Sequence, residues 1–336
     1  MFYKEINIIL RKNTIRRSYN ILKLLSSYFL SKIISYPIHW GTPMSISIEP
    51  TTACNLQCPE CPSGLRSFNR PTGNLKFQQF RQFIDPFLSK LSGLIFYFQG
   101  EPYINVDLFK MIHYASSKGV YTMSSTNAHF LNEENCQKTI DSGLDRLIIS
   151  IDGTTQESYE KYRIGGTLDK VIQGTKNLVE SKIKNKSATP LIILQFLVVR
   201  HNEHQIEDIK KLAQELRVDK LELKTAQIYN YEQGSDLIPE SQIYTRYRKQ
   251  ADGSFQIKNK LLNECWRMWQ GCVITWDGKV VPCCFDKDAS YSLGSLKEKT
   301  IVDVWNSSEY KLLRSQIIKG RKNIDICRNC TEGALV

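Results

Sequence analysis

A chain of 336 residues is longer than one typical domain and fits a barrel-sized domain with a small module beside it. Its hydrophobic content of 41% allows a large core, and ten cysteines without a signal-peptide pattern argue for metal ligation in a reducing cytoplasm rather than for disulfides. The formal net charge is +11, but no compact basic patch interleaved with aromatics appears in the central region, so nucleic acid is not an expected partner.

The first forty residues hold Lys4, Arg11, Lys12, Arg16, Arg17, Lys23 and Lys32 against the single acid Glu5. From Ile15 to Tyr36, apolar residues Ile15, Leu22, Leu25, Phe29, Ile33 and Tyr36 recur at helical spacing with polar residues between them, which predicts an amphipathic helix or two. Lys23 and Lys32 interrupt the segment too often for a membrane span of about twenty apolar residues. Two readings are open for residues 1–40: weak contact with an anionic membrane surface, or a helix packed on the rest of the protein or capping its open end.

From Met44 onward, strand-like and helix-like runs alternate, the pattern of repeated β-α units and a parallel sheet. The predicted strands are Ser45 to Glu49, Leu94 to Phe98, Tyr121 to Ser125, Arg146 to Ile151, Leu191 to Val199 and Lys220 to Thr225. Helices are predicted after the first five, at Phe77 to Lys90, Asp107 to Ser117, Glu133 to Ser142, Thr167 to Ser181 and Gln205 to Leu216. Six units are two short of the eight that close a full barrel. The polar and aromatic stretch Tyr229 to Asp252 reads as a linker or mobile bridge.

In a parallel sheet, ligands gather at the carboxyl ends of the strands. The run Glu49-Pro-Thr-Thr-Ala-Cys-Asn-Leu-Gln-Cys-Pro-Glu-Cys-Pro62 follows the first strand and puts Cys54, Cys58 and Cys61 there. Three thiolates at this spacing can hold three irons of a [4Fe-4S] cube and leave the fourth open to a small molecule. Structural zinc is the competing reading, but zinc takes four protein ligands and no fourth Cys or His lies nearby before His113.

Six cysteines crowd residues 265–336: Cys265, Cys272, Cys283, Cys284, Cys327 and Cys330. Between them, Asp277-Gly278 predicts a two-residue hairpin turn that pairs Trp276 with Lys279, Ile274 with Val281 and Cys272 with Cys283. Cys283 and Cys284 point to opposite faces, so at most one of them serves a cluster through a given face. A structural zinc held by four of these sulfurs is the alternative.

The cysteine loop resembles that of the radical S-adenosylmethionine (radical SAM) enzymes. The resemblance extends along the strand ends, through Phe98-Gln-Gly-Glu-Pro102, Ser124-Ser-Thr-Asn-Ala128, Ser150-Ile-Asp-Gly153 and Tyr162-Arg-Ile-Gly-Gly166. It departs from the family's pattern at Gln99 and Ala128, where glycine is usual. The resemblance implies an α/β fold, a (β/α)6 partial TIM-like barrel, and S-adenosylmethionine as cofactor. It assigns the methionine amino group to the backbone at Gly100 and Glu101, the ribose hydroxyls to Ser150 and Asp152, the carboxylate to Arg163, and a place in the cofactor site to Asn127. The Cys265 to Asp286 stretch with Cys327 and Cys330 resembles the SPASM or shorter Twitch modules. That implies one auxiliary [4Fe-4S] cluster ligated by Cys265, Cys283, Cys327 and Cys330, with Cys272 the main rival ligand.

The family's chemistry implies an oxidoreductase or maturase that reductively cleaves S-adenosylmethionine. A 5′-deoxyadenosyl radical then modifies, by oxidation or crosslinking, a peptide, a protein or a small molecule. The electron comes from a reductant protein such as flavodoxin or ferredoxin. Asp286 resembles in placement an acid near the auxiliary cluster of some members and is the expected proton acceptor. The implied organisation is an N-terminal segment 1–43, a barrel 44–228, a bridge 229–264 and a cluster module 265–336. With only some forty-three residues before the barrel, a peptide would be recruited by the barrel, the bridge or a separate partner. A non-enzymatic iron-sulfur or zinc scaffold that senses redox state is the alternative; it would not need the set Gly100, Glu101, Ser150, Asp152 and Arg163.

Overall fold

The computed structural model describes residues 2–333; Met1 and residues 334–336, the outermost positions of the expected N-terminal segment and C-terminal module, lie outside the described residues. The first half of the chain runs α1 (Phe2–Lys12), α2 (Ile15–Ile34), β1 (Ser45–Ile48), α3 (Phe77–Ile84), β2 (Gly93–Phe96), α4 (Leu108–Ser117), β3 (Tyr121–Thr126), α5 (Glu133–Asp141) and β4 (Arg146–Ser150). There follow α6 (Gln156–Tyr162), α7 (Leu168–Lys184), β5 (Leu191–Val198), α8 (Ile206–Glu215), β6 (Lys220–Thr225), β7 (Tyr247–Lys249) and β8 (Phe255–Ile257). The last stretch holds β9 (Gly271–Ile274), β10 (Lys279–Val281), β11 (Gly294–Ser295), α9 (Ile301–Trp305) and α10 (Ser308–Gly320).

All six expected strands form. The helix expected over Phe77 to Lys90 stops at Ile84 and continues as a 3₁₀ segment, Asp85–Lys90, because Pro86 has no N–H to offer an α-helical carbonyl. The short α6 was not expected; its one local signal is Thr155, whose side chain accepts from the Ser158 amide as an N-cap. Among the described residues no helix is long and apolar enough to cross a membrane.

The chain divides into two compact units, each assembled from separated stretches. The first comprises, among the described residues, 2–5, 53–67 and 123–260. Its strands β3, β4, β5 and β6 pair in that order, all parallel, with Met123 opposite Arg146, Arg146 opposite Leu191 and Ile193 opposite Lys220. Leu147, Ile149, Ile193 and Phe196 are fully buried, as expected for central parallel strands read as continuous apolar runs. Residues 229–264, expected as a bridge, contribute the antiparallel pair β7-β8; Tyr247 is buried, stacks on Tyr231 and donates and accepts at the Ile228 backbone.

The second unit comprises, among the described residues, 6–52, 68–122 and 261–333. Its strand order is β11-β10-β9-β1-β2. Here β9, from the C-terminal cysteine region, runs parallel to β1 with Ser45 opposite Gly271. A side chain at position 271 is impossible in this register, since its Cβ would sit 1.9 Å from the Ser45 carbonyl oxygen. This pairing groups the C-terminal stretch with β1 and β2 in the second unit.

The β9-β10 hairpin forms one residue out of the expected register: Ile274 faces Val280 and Val273 faces Val281. Trp276 is drawn out of the ladder, its amide donating to Glu49 Oε2 and its indole to the Pro71 carbonyl, while Thr275 Oγ1 meets both Asp277 and the Lys279 amide. Gly278, at φ +89°, closes a three-residue loop of the left-handed glycine kind. A slip of one residue exchanges faces, so Cys272 no longer lies across from Cys283.

Candidate active site and auxiliary cysteine pocket

In the first unit the cysteine loop lies against an apolar cluster of Leu56, Tyr162, Val199, Ala226, Ile228 and Tyr247. Cys58 is buried within that cluster, whereas Cys54 and Cys61 stand partly exposed at its edge. The backbone folds tightly: the Cys61 amide donates to the Cys58 carbonyl, and Cys61 leads into a single helical turn, Pro62–Leu65. Gly64 makes this possible, because a Cβ there would lie 2.6 Å from the Cys58 nitrogen and 2.8 Å from its carbonyl oxygen. Loop and barrel are joined by the Gln57 amide on the Ile164 carbonyl and by Asn127, whose amide donates to Asn55 Oδ1 at 2.8 Å. Ala128, where the family pattern has glycine, takes the left-handed φ of 64° that glycine would hold without strain.

Arg163 joins the strand-end residues to this loop. Its Nε donates to Asp152 Oδ2 at 2.5 Å, and its Nη1 lies 3.7 Å from the Cys58 sulfur. Asp152 is buried, and its other oxygen accepts from the Leu197 amide at 2.7 Å. Burial pushes the Cys58 thiol up, and the Arg163 guanidinium works against that by favouring the thiolate. Ser150, at the end of β4, is buried too, and Gly153 lets α6 start directly above the strand, where a Cβ would meet the Tyr159 amide at 2.4 Å.

In the second unit Gly100 takes φ +74°, as the resemblance requires of a backbone open to close approach, and buried Glu101 accepts from the Tyr103 amide at 3.2 Å. The same unit holds the C-terminal cysteines. Cys265, Cys283, Cys327 and Cys330 all line one pocket, walled by Met268, Leu313 and Ile317 among others, and neither Cys272 nor Cys284 lines it. Arg321, which the sequence reading missed, is buried beside them; its Nη2 lies 3.0 Å from the Cys330 sulfur and donates to the Glu332 carbonyl at 2.6 Å. Burial pushes Cys265 up and lifts Cys327 to about 11, with Arg321 the principal opposing charge in each case. Arg321 therefore favours deprotonation of the thiols a cluster would bind.

Asp286 is also placed differently from a base open to substrate. It is buried, and its two oxygens accept from the Ser290 and Tyr291 amides at 2.8 and 2.9 Å, which holds the loop after Cys283 and Cys284. Burial pushes its carboxyl up despite these amides.

Two donor sets thus fit iron-sulfur chemistry: three thiols on one loop against an apolar wall, and four thiols in one apolar pocket. Among the described residues no three His, Cys, Asp or Glu side chains converge as a lone metal ion would require. An iron-sulfur cube asks for something wider, one sulfur at each iron corner.

The radical SAM superfamily matches residues 48–220, and the SPASM iron-sulfur cluster-binding domain matches residues 265–331. The chain belongs to the radical SAM superfamily and is an enzyme of that class. Its cofactors are accordingly a [4Fe-4S] cluster and S-adenosylmethionine, with SPASM-bound auxiliary iron-sulfur. An AdoMet-dependent heme synthase of Methanosarcina barkeri is 24% identical over 330 residues, covering 86% of this chain and 91% of that protein. Streptococcus suis SuiB bound to S-adenosylmethionine superposes with a TM-score of 0.64 at 15% identity, over 87% of this chain and 73% of SuiB. BtrN, solved with AdoMet and 2-DOIA, gives 0.53 at 16% identity over 88% and 95% of the two chains. These likenesses show the α/β partial-barrel fold.

Proposed function

We propose that this enzyme oxidises or crosslinks a peptide, protein or small-molecule substrate, and that Cys265, Cys283, Cys327 and Cys330 would hold one auxiliary [4Fe-4S] cluster, which when bound would supply an electron acceptor. The observation that carries this reading is the convergence of those four sulfurs, from three chain segments, on one apolar pocket. When bound, the first cluster and S-adenosylmethionine supply a 5′-deoxyadenosyl radical able to abstract hydrogen from an unactivated carbon.

The chain's own residues bind and orient. Cys54, Cys58 and Cys61 would hold the first cluster. Asn127 fixes their loop through Asn55. Arg163 is held by Asp152 through Nε, so its Nη groups are directed toward the cysteine loop and can meet the cofactor carboxylate there. Ser150 and Asp152 would take the ribose hydroxyls. Leu56, Tyr162 and Val199 keep water from the loop. A reductant protein such as flavodoxin or ferredoxin delivers the electron.

Both substrate classes have support: SuiB has been solved with its precursor peptide SuiA, BtrN with 2-DOIA, and the full-length relative is named for heme synthesis. Oxygen-free, iron-loaded protein given dithionite and S-adenosylmethionine should release 5′-deoxyadenosine, and the Cys54→Ala/Cys58→Ala/Cys61→Ala protein should release none. Deuterium transfer into that product from labelled peptide or small-molecule candidates then selects the substrate class. Absence of 5′-deoxyadenosine from the iron-loaded wild type would overturn the reading.

A further inference from the structure

Helix α2 is docked with the opposite polarity to a helix of a globular core. Its buried side chains are Arg17, Asn20, Leu24, Ser27, Tyr28 and Ser31, four of them charged or small and polar. Apart from Arg17 Nε, these polar groups bond to backbone. Asn20 donates to the Thr42 carbonyl and accepts from the Thr42 amide, both at 2.9 Å; Ser31 donates to Ser27 and Ile38 carbonyls and accepts from the Ile38 amide; Arg17 donates to the carbonyls of Lys12, Lys118 and Gly119. Tyr28 completes the contact edge-on against Trp266 and Trp269.

The opposite face is apolar and open. Ile15, Tyr19, Leu22, Phe29 and Ile33 are 88%, 59%, 59%, 48% and 80% exposed. Steps of four, three, seven and four residues align them along a single stripe, with Ser26 filling the long step. Leu10 of α1 is 62% exposed. Since hydrogen bonds hold the inner face, the stripe plays no part in keeping the helix on the protein. A continuous line of large apolar side chains in water calls for a cover.

Charge decides between covers. Arg11 and Arg16 are exposed, and Lys23 stands over the Tyr19 ring with its nitrogen 4.5 Å from the centroid. Among residues 2–36 the only acid is Glu5, which is paired with Arg146. A second copy laid along the stripe would set these cations against their own kind, whereas an anionic lipid surface supplies the missing countercharge. We propose that α2 lies in the plane of an anionic bilayer surface, with Ile15, Tyr19, Leu22, Phe29 and Ile33 immersed among the acyl chains and Arg11, Arg16 and Lys23 at the headgroups.

The test is flotation of the full-length enzyme with phosphatidylcholine vesicles, with and without phosphatidylglycerol. The wild type should float with the anionic vesicles and much less with the neutral ones. Leu22→Gln/Phe29→Gln/Ile33→Gln should cut the bound fraction about tenfold or more, because affinity follows buried apolar area plus charge. Those side chains face solvent, so the variant should keep its circular dichroism spectrum and melting temperature. Arg11→Gln/Arg16→Gln should erase the preference for anionic lipid while keeping the same fold. No flotation of the wild type, or equal flotation of the wild type and the apolar variant, would overturn the proposal. So would a dimer in light scattering that the apolar variant converts to monomer, because the cover would then be a second copy.

Discussion

At the scale of single residues, position along the chain and position in space part company most clearly at Asp286. Two residues past a cysteine pair, it has the placement of a proton acceptor, yet as folded it binds the amides of Ser290 and Tyr291 and is buried. An amide side chain offers one acceptor and a donor where two acceptors are needed, so Asp286→Asn should leave a buried N–H facing an N–H. The expected loss is about 1–3 kcal/mol of stability, as for other buried groups deprived of a partner. The loop after Cys283 should loosen, auxiliary iron should fall, and product formation should fall in proportion to it. Thermal unfolding and iron content check this. An unchanged melting temperature with selective loss of substrate oxidation would return Asp286 to the proton-acceptor role.

Elements are held in place here by a buried ion pair. Glu49, at the exit of β1, takes a two-pronged grip from Arg70, Oε1 to Nη2 at 2.6 Å and Oε2 to Nη1 at 2.8 Å, and Oε2 also accepts from the Trp276 amide. Burial pushes Glu49 up, while Arg70 and the Trp276 amide pull it back. In sequence the pair brackets the loop that carries Cys54, Cys58 and Cys61. The loop's neck is further closed by the Leu75 amide on the Pro50 carbonyl and by Thr52 with Gly73. Arg70→Met should therefore cost about 3–5 kcal/mol by leaving a buried carboxylate uncompensated, and Glu49→Leu/Arg70→Met should recover much of that. Chelator-driven iron release from the first cluster should speed up in the single variant and slow again in the double one. Denaturant midpoints equal for wild type and Arg70→Met would refute this account of the neck. Strands β4 and β5 were legible as nearly continuous apolar runs and β1 as an alternating one. The hairpin register was not, since it depends on Trp276 reaching Glu49 and Pro71, partners more than two hundred residues back. Periodicity likewise told which residues of α2 share a face but not which face turns inward, a matter settled by Thr42, Ile38 and Gly119.

For the whole molecule, the cofactor chemistry was readable from the resemblance of the cysteine loop and strand ends to the radical SAM enzymes, whereas the architecture that presents it was not. Nothing local to residues 265–281 announces that β9 will lie on β1; the one hint is Gly271, needed because Ser45 approaches so closely. The consequence is a division of labour among ten cysteines that spacing alone left open. Cys283 lines the pocket with Cys265, Cys327 and Cys330; Cys284 is exposed, and Cys272 is buried elsewhere with its thiol pushed far up by burial. Reconstituted wild type should bind about eight irons, four for each cube, and Cys54→Ala/Cys58→Ala/Cys61→Ala about four. Cys272→Ser and Cys284→Ser should each keep about eight, because neither side chain lines the pocket of the other four, whereas Cys265→Ala or Cys327→Ala should fall toward four. Arg321→Gln gives the subtler readout: with its cation gone from beside Cys330, the auxiliary potential should shift to more negative values while the first cluster's spectrum stays as in the wild type. Loss of four irons on replacing Cys272 alone would mean that the ligand set includes the rival sulfur and that the hairpin holds its cluster in the two-residue-turn register.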